Sequence, residues 1–283
     1  MVELNFPPSD VALTSLTRLG EGRQAEVFAW TEAEVVKLFR GAEATGTATR
    51  EATAMRAAEA SGVPMARLRG TVTIGGRPGI VMERLDGPDQ LTLLGSRPWR
   101  IWGAAKTLAR LHAQLHSAPV GAGLQSLNEA VRVSLESSER IPEPYRRAAL
   151  DALERLPDGN NVCHGDFHPG NIIETVAGPR VIDWTAVTRG DPLADVARTL
   201  LLARAGELPP GTPLLVRRLI TVGRRVLLWG YLREYRRLHP FEPKDLVAWE
   251  VVNAAERLSD GIPEERGYLL GLLARLVPAT PPR

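Results

Sequence analysis

The stretch CHGDFHPGNIIETVAGPRVIDW, residues 163–184, decides the fold. It holds two short apolar runs, Ile172-Ile173 and Val181-Ile182, with Gly178-Pro179 between them. Apolar runs of this length on either side of turn-forming residues predict a β-hairpin, here with its turn at the Gly-Pro pair. The first run follows a polar loop and the second ends at an acidic residue, so the hairpin joins two polar segments.

Polar side chains stand at both ends of this predicted hairpin. His164, Asp166 and Asn171 lie on the loop before it, which His168-Pro169-Gly170 closes, and Asp183 follows its second strand. Because the two ends of a hairpin lie side by side, we expect Asn171 and Asp183 close together and beside Asp166. We expect His164 and His168 to hold the loop rather than to carry protons.

This set of side chains suits phosphoryl transfer. The reaction needs a carboxylate that orients and deprotonates the attacking hydroxyl, and oxygen ligands that hold Mg²⁺ against the nucleotide phosphates. Asp166 can be the carboxylate, and Asn171 and Asp183 can be the ligands. A solvated turn with Asp166 as a capping residue is the alternative, since Asp, Asn, Gly and Pro are all common in turns. The ordered spacing of the three residues favours the chemical interpretation.

The motifs HGDFHPGN, residues 164–171, and VIDW, residues 181–184, resemble those of the aminoglycoside phosphotransferase/choline kinase-like family. The resemblance implies an α+β, bilobal, protein kinase-like fold: an N-terminal lobe with an antiparallel sheet and one main helix, and a mostly helical C-terminal lobe. It also implies ATP and Mg²⁺ as cofactors and a small-molecule hydroxyl as substrate. Asp166 would be catalytic, and Asn171 and Asp183 would bind the metal.

A glycine-rich segment near the N-terminus matches the kinase loop G-x-G-x-x-G-x-V at Gly20, Gly22 and Val27, with Ala25 at the third glycine position. Gly20 and Gly22 are expected to adopt backbone conformations closed to other residues and to let amide groups approach phosphates. By the resemblance, all four residues would cover the nucleotide phosphates. No Gly-Lys-Ser/Thr follows, so the segment is not a Walker A loop.

Lys37 lies in the apolar run VVKLF, residues 35–39, where an ammonium group needs an anionic partner. The resemblance implies that Lys37 contacts the α- and β-phosphates and that a helix glutamate holds it. The alanine-rich segment 47–60 is a predicted helix. Glu51 is our choice for the partner, because Glu43 precedes the regular helix and Glu59 stands near its end.

The segments 66–74 and 79–83 are predicted strands around a turn at Gly75-Gly76. In kinase-like folds the second of these strands leads into the hinge between the lobes, whose backbone hydrogen-bonds adenine. The resemblance therefore implies nucleotide contacts at Glu83 and Leu85, mainly through the main chain. It places the N-terminal nucleotide-binding lobe at residues 1–84 and the C-terminal catalytic and substrate-binding lobe at residues 85–283.

The remaining chain is predicted to be mainly helical, with segments near 97–117, 124–137 and 143–156 and several more over 193–277. His112 and His116 lie four residues apart on one helix face, where we expect a packed or capping pair rather than a metal site. Asp191 and Asp195 are expected to cap a helix and to brace the catalytic loop. The arginine-rich segment 224–237 is predicted to be an amphipathic helix with a solvated basic face rather than a nucleic-acid patch. Breaks at 208–211 and a loose tail at 278–283 complete the prediction.

Composition indicates an ordinary globular protein of 283 residues, with 44% hydrophobic and 24% charged residues and a formal charge of +2. The charge gives no positive case for a nucleic-acid or membrane partner. The only cysteine, Cys163, excludes an intramolecular disulfide and is expected to be a small buried filler rather than a nucleophile. No leader or membrane span is evident, and a cytoplasmic location is expected. The oligomeric state stays open.

The function that these features favour is ATP- and Mg²⁺-dependent transfer of the γ-phosphate to a hydroxyl of a small molecule, such as an aminoglycoside, an amino sugar or choline. A pseudokinase-like binding module is one alternative. A protein kinase is another, but the chain has no Ala-Pro-Glu element and only a short interval between Asp183 and Asp191.

Overall fold

Five antiparallel strands form one sheet in the N-terminal part of the chain. The computed structural model describes residues 6–7, 9–22, 24–117, 123–206 and 211–277. The sheet has the order β1-β2-β3-β5-β4, in which neighbouring strands are antiparallel. The strands are β1 Arg18–Glu21, β2 Ala25–Ala29, β3 Glu34–Phe39, β4 Leu68–Ile74 and β5 Arg77–Glu83.

The alternation of side chains along β3 builds two apolar layers. Val36 and Leu38 point to one face and pack with Phe28 and Ile74. Phe39 is fully buried in the larger core, which includes the helix α1, Ala44–Glu59. Successive side chains of a strand point to opposite faces, so Lys37 shares the face of Phe39 and is directed towards α1.

Helix α1 packs through small side chains. Ala48, Ala52 and Met55 recur at helical spacing and are almost completely buried, and Glu51 is buried on the same side. The helix begins at Ala44, three residues earlier than the sequence indicated, and the Thr47 amide already donates to the Glu43 carbonyl at 2.9 Å. The close approach that alanines allow places the carboxylate of Glu51 against the sheet.

Helices dominate the C-terminal part. They are α2 Gln90–Ser96, α3 Ile101–Leu115, α4 Leu127–Ser137, α5 Glu143–Arg155, α6 Pro192–Ala205, α7 Leu214–Leu238, α8 Pro243–Arg257 and α9 Pro263–Leu276. The predicted helical pattern is therefore confirmed, including the amphipathic helix over 224–237, which is part of α7. Residues 208–210 of the predicted break at 208–211, and the predicted tail at 278–283, lie outside the described residues.

Two small strand pairs frame the polar loop. Strand β6, Asn161–Cys163, pairs with β9, Thr188–Gly190, and β7, Ile172–Thr175, pairs with β8, Gly178–Val181. The predicted hairpin is confirmed, but its turn was predicted at the wrong place. It consists of Val176-Ala177, because the Thr175 hydroxyl donates to the Gly178 carbonyl at 2.7 Å and accepts from the Ala177 amide at 3.2 Å.

The α+β, kinase-like class predicted from the sequence is confirmed by this arrangement of a five-stranded antiparallel sheet, one main helix against it and a helical C-terminal part. Cys163 is buried and not bonded to another cysteine, as expected of a core filler. Within the described ranges, no helix has both the length and the apolar character that a bilayer span requires.

Candidate active site

The polar loop between β6 and β7 requires glycine at its second position. Gly165 has a φ of +77°, and a Cβ there would lie 2.4 Å from the carbonyl oxygen of Ala186. This close approach holds the loop against the segment that follows Asp183. After this point the chain presents Asp166 and then turns through the short 3-10 helix Pro169–Asn171 into β7.

Asp166 and Asn171 are in direct contact. The Asn171 Nδ2 donates to the Asp166 carbonyl at 2.8 Å and to its Oδ2 at 3.3 Å. These bonds direct the amide nitrogen towards Asp166 and leave Oδ1 of Asn171 as the atom that can bind a cation. Asn171 is buried, whereas 41% of the Asp166 side chain is exposed. An acceptor molecule can therefore reach the carboxylate.

His168 supports an ionised Asp166. The His168 Nδ1 accepts from the Gly170 amide at 3.0 Å, so its Nε2 carries the proton and faces Oδ2 of Asp166 at 3.7 Å. This separation is longer than a hydrogen bond, but the positive end of the N–H dipole faces the carboxylate. Burial alone would raise the pKa of Asp166, but the neighbouring imidazoles and Asn171 outweigh it, and the pKa lies below its ordinary value. The carboxylate is thus a base rather than an acid near neutral pH.

The hairpin brings Asn171 and Asp183 together. The backbone amide of Ile182 donates to the Asn171 carbonyl at 3.0 Å, so the residue before Asp183 is bonded to Asn171 itself. Asp183 has a φ of +63°, which is uncommon for residues other than glycine. Strain of this kind persists where neighbouring contacts hold the residue, and the Thr185 hydroxyl and Lys37 both bond its Oδ1.

Lys37 links the sheet, helix α1 and the end of the hairpin. Its Nζ lies 2.8 Å from Oε1 of Glu51 and 3.1 Å from Oδ1 of Asp183. Glu51 is the glutamate that reaches Lys37, as predicted, while Glu43 and Glu59 are exposed at the two ends of the helix. A row of three buried or half-buried charges therefore joins elements that are 146 residues apart in sequence.

The charges in this row depend on each other. Burial raises the pKa of Glu51 to about 7, against the opposing attraction of Lys37. Burial would lower the pKa of Lys37, but its two carboxylate partners outweigh this, and the pKa is raised. Burial would raise the pKa of Asp183, but Lys37 and Thr185 hold it below its ordinary value. Lys37 is thus cationic and Asp183 anionic at neutral pH.

The strand register aligns the glycine-rich segment with Lys37. Gly20 pairs with Val27, and Val27 pairs with Lys37, so the three residues lie opposite one another on β1, β2 and β3. The Gly22 amide donates to the Ala25 carbonyl at 2.9 Å, which forms the tip between β1 and β2. Gly20 and Val27 therefore lie beside Lys37 in the sheet, and Ala25 lies beside Phe39.

The backbone explanation for the two glycines was wrong. Neither Gly20 nor Gly22 has a positive φ, so neither conformation is closed to other residues. Gly20 is a strand residue of β1 that pairs with Val27, although the register between β1 and β2 shifts between Arg18 and Gly20. The space beside Gly20 is open, since a Cβ at this residue would meet no atom within 4 Å. That space permits another molecule to approach the backbone closely.

Glu83 and Leu85 lie at and just after the end of β5. The Glu83 amide donates to the Arg67 carbonyl at 2.9 Å, and its side chain accepts from the Arg67 amide at 3.3 Å. Leu85 is half-buried, and its main chain makes no hydrogen bond to another described residue. The backbone of Leu85 is therefore available to a ligand, whereas Glu83 is committed to the strand edge.

A buried polar network braces the loop from below. Both oxygens of Asp195, on α6, accept bonds from the loop backbone: Oδ2 from His164 and Oδ1 from Gly165, the latter at 2.9 Å. Oδ2 also faces Nε2 of His112 at 2.9 Å and Nε2 of His116 at 3.2 Å. Burial would raise the pKa of Asp195, but the two histidines hold it well below its ordinary value. The predicted bracing role of Asp195 agrees with these contacts.

His112, His116 and Asp195 are close enough to hold a metal ion, but their bonds explain them without one. The Nδ1 atoms of His112 and His116 each lie 2.7 Å from a tyrosine hydroxyl, of Tyr231 and Tyr235 respectively. Their Nε2 atoms face Asp195, so every ring nitrogen has a partner. These contacts are consistent with the packed histidine pair that the sequence indicated.

Asp191, the other predicted capping residue, begins α6. Its Oδ1 accepts from the Leu193 amide at 3.0 Å, and its Oδ2 accepts from Nε1 of Trp249 at 2.8 Å. The sequence did not reveal Trp249 or the two tyrosines of α7 as partners of this network. Tyr231 and Tyr235 are four residues apart, as are His112 and His116. This equal spacing is the sequence signal that could have indicated that the two tyrosines pair with the two histidines.

The oxygen donors around the hairpin fit a magnesium ion. Asn171 offers an amide oxygen and Asp183 a partly exposed carboxylate, and Mg²⁺ prefers such hard ligands. Asp183 shares one oxygen with Lys37 and Thr185, while Oδ2 makes no hydrogen bond within the described ranges. The site thus has two oxygen donors, one from each end of the hairpin.

The chain is similar in structure to several solved kinases. Amicoumacin kinase hAmiN, solved with AMP-PNP, Ca²⁺ and its ligand, is 14% identical with a TM-score of 0.56, over 98% of this chain and 92% of that one. The ADP-bound aminoglycoside phosphotransferase APH(2'')-Ib is 17% identical with a TM-score of 0.54, over 93% and 92%. A putative fructosamine-3-kinase from Haemophilus somnus is 13% identical with a TM-score of 0.59, over 93% and 91%. At these identities the likeness shows the fold.

Sequence comparison adds the family. A search of curated proteins finds no significant match. The model of the phosphotransferase enzyme family, however, matches residues 15–241, which is well over half of the chain. That range contains the whole sheet, the polar loop, the hairpin and all of the bracing network except Trp249. The predicted resemblance and the prediction of a small-molecule phosphotransferase are thereby confirmed: the chain belongs to the phosphotransferase enzyme family.

Proposed function

We propose that this chain uses ATP and Mg²⁺ to transfer the γ-phosphate to a hydroxyl group of a small molecule. The observation that carries the proposal is the position of Lys37, bonded at once to Glu51 at 2.8 Å and to Asp183 at 3.1 Å. Kinases position the nucleotide phosphates with a lysine that a helix glutamate holds near the metal-binding aspartate. Lys37, Glu51 and Asp183 have this arrangement here.

In this proposal each residue near the hairpin has a distinct task. Asp166 orients the acceptor hydroxyl and takes its proton, which its lowered pKa and its partly exposed carboxylate allow. Asn171 and Asp183 would hold Mg²⁺, which would supply positive charge that neutralises the phosphates. Lys37 binds the phosphates, and Glu51 keeps it in place.

The nucleotide would lie between the sheet and the hairpin. Gly20, Gly22, Ala25 and Val27 would cover the phosphates, as the row from Gly20 to Lys37 and the open space at Gly20 support. The free main chain at Leu85 would bond the base, with Glu83 beside it. We accordingly propose two lobes, residues 1–84 and 85–283, that meet at this cleft. A cytoplasmic location remains part of the proposal.

The acceptor is proposed to be a small hydroxylated metabolite or antibiotic. Among the structurally similar proteins, one is named for amicoumacin, one for aminoglycosides and one for fructosamine. Residues 184–283 of this chain contain 15 Lys and Arg against 11 Asp and Glu. This segment lacks the acidic excess that a pocket for a polycation would require, so the charge favours a less cationic acceptor.

An ATP-consumption screen tests the proposal. Purified protein with Mg²⁺ and ATP is offered aminoglycosides, amino sugars, choline, homoserine and nucleosides, and ADP release is followed. We expect turnover with at least one class and its loss in Asp166→Asn, but not in Asp151→Asn, which changes an exposed aspartate of α5. Nucleotide binding without turnover across the library would favour a binding module. Phosphorylation of peptides alone would favour a protein kinase.

A further inference from the structure

A cavity of about 520 Å³ lies between helices α6, α7 and α9, away from the catalytic loop. Asp195, on the first turn of α6, contacts the loop, and the same helix reaches the cavity at Leu200, five residues later, which is about 7.5 Å along a helix. A volume of this size is typical of small-molecule sites. The residues assigned to phosphoryl transfer do not line it.

The floor of this cavity is apolar and its rim is basic. Leu200, Leu228 and Leu232 contribute aliphatic surface, and Trp229 and Tyr268 contribute aromatic surface. Trp229 is held in place, since its ring packs edge-on against Trp102 at 5.5 Å. The lining of the cavity also includes three arginines, Arg204, Arg224 and Arg225.

The arginines are incompletely neutralised. Arg204 pairs with Glu250 at 2.5 Å. Arg224 is half-buried and donates to the Gly206 carbonyl, and in the described ranges no carboxylate pairs with Arg224 or Arg225. Burial lowers the pKa of Arg224, because the partly desolvated guanidinium is less stable in its charged form. A partly buried cation that no described carboxylate neutralises is costly, and a bound anion offsets that cost.

We propose that this cavity, called here the arginine cavity, binds a small molecule that carries a carboxylate or phosphate group on an aromatic or aliphatic body. Arg224 and Arg225 hold the anionic group at the rim. The body lies on the leucine floor beside Trp229 and Tyr268. The site is separate from the phosphoryl-transfer site and does not depend on the function proposed above.

The test is calorimetric titration with four ligands that share one ring system: 1-naphthoate, 1-naphthyl phosphate, 1-naphthol and 1-naphthylmethylammonium. We expect one of the two anions, or both, to bind with a stoichiometry of one, and the neutral and cationic analogues to bind at least about tenfold more weakly, because charge-assisted hydrogen bonds are lost. Comparison of the two anions distinguishes a carboxylate ligand from a phosphate ligand. Each titration is repeated with excess ATP and Mg²⁺, which are not expected to displace an anion from the arginine cavity.

Variants locate the binding. The double variant Arg224→Gln and Arg225→Gln is expected to weaken anion binding by about tenfold or more, and Ala203→Phe is expected to block it by filling the cavity. Arg218→Gln, at an exposed arginine of α7 outside the cavity, is the matched control and should bind normally. If the double variant does not fold, Arg225→Gln at its exposed position carries the test.

Three results would overturn the proposal. The first is the absence of saturable binding of either anion, or its loss when ATP and Mg²⁺ are added. The second is unchanged binding both in the arginine variant that folds and in Ala203→Phe. The third is an equal loss of binding in Arg218→Gln, which would show attraction to the general basic surface of α7.

Discussion

The Nε2 of His112 lies 2.9 Å from Oδ2 of Asp195, and both side chains are completely buried. The same carboxylate accepts bonds from the backbone of His164 and Gly165, so one acid on α6 fixes both a helix histidine and the catalytic loop. An aspartate at this position can accept from all of its neighbours, because every group around it is a donor. The loop therefore derives its position from the core of the C-terminal part.

Asp195→Asn is expected to destabilise the protein by about 3 kcal/mol. The new amide offers one acceptor in place of two and brings a donor against donors, which leaves buried groups without partners. Urea unfolding of the variant against wild type measures the change. Asp151→Asn, at an exposed site, serves as the control and should differ from wild type by less than about 0.5 kcal/mol. Equal stability of Asp195→Asn and wild type would contradict the bracing role.

His112 makes stability dependent on pH. Burial lowers the pKa of His112 to about 3, whereas an unfolded histidine titrates near 6.5. Between these values the unfolded chain takes up a proton that the folded chain does not, so stability falls as the pH falls from 6.5, by up to about 1.4 kcal/mol per pH unit. His164, whose pKa burial also lowers, acts in the same direction.

Glu51 opposes this effect. Burial raises its pKa to about 7, so between pH 7 and its unfolded value of 4.5 the folded chain takes up the extra proton and gains stability. The contribution of His112 is therefore measured as the difference in pH dependence of the unfolding free energy between wild type and a His112 variant. We expect His112→Gln to show a shallower loss of stability than wild type between pH 6.5 and 4.5 in urea titrations. An identical pH dependence of the two proteins would show that His112 takes up its proton at the same pH in the folded and the unfolded chain.

The sequence allowed the central part of the site to be predicted because its residues are close along the chain. Asp166 and Asn171 are five residues apart on one loop, and Asp183 follows at the end of a hairpin that the apolar runs made visible. Lys37 and Glu51 are further apart, but the alternation of a strand and the periodicity of a helix each indicate which face a residue occupies. That Lys37 pairs with a helix glutamate was implied by the family resemblance, and Glu51 was chosen because the other two glutamates lie at the ends of the helix.

The contacts that could not be predicted depend on tertiary packing or on side-chain hydrogen bonds. Tyr231 and Tyr235 meet their histidines 119 residues away, across two helices whose pairing no local pattern specifies. The hairpin turn was misplaced because a threonine hydroxyl, rather than the Gly-Pro pair, fixes it at Val176-Ala177. Local turn propensities do not include such competing bonds.

Glu51→Gln tests the link between Lys37 and helix α1. Loss of the negative charge removes the ion pair with Lys37, so the lysine is less well positioned, and turnover is expected to fall by about 10- to 100-fold. Steady-state kinetics with the acceptor found in the ATP-consumption screen provide the measurement. The matched control is Glu59→Gln, which changes an exposed glutamate of the same helix. A similar loss in both variants would assign the effect to the helix and not to the ion pair.

Asp166→Asn and Asp183→Ala are expected to separate catalysis from nucleotide binding. Asp166→Asn removes the base and should lower turnover by about 10²- to 10⁴-fold, with little change in ATP affinity. Asp183→Ala removes a proposed metal ligand and should also weaken the binding of the magnesium nucleotide. Calorimetry with a non-hydrolysable ATP analogue, with and without Mg²⁺, measures the second effect. Equal Mg²⁺ dependence in wild type and Asp183→Ala would argue against Asp183 as a ligand.

Gly165→Ala is expected to destabilise the loop that carries Asp166. Its φ of +77° is costly for alanine, and the new Cβ would lie 2.4 Å from the Ala186 carbonyl, so either the loop or the segment after Asp183 must move. We expect a loss of about 1–3 kcal/mol in urea unfolding. Gly20→Ala is the matched control for stability, because Gly20 has an ordinary φ and open space around a Cβ. Wild-type stability in Gly165→Ala would show that the loop adapts, and the contact with Ala186 would then not be what positions Asp166.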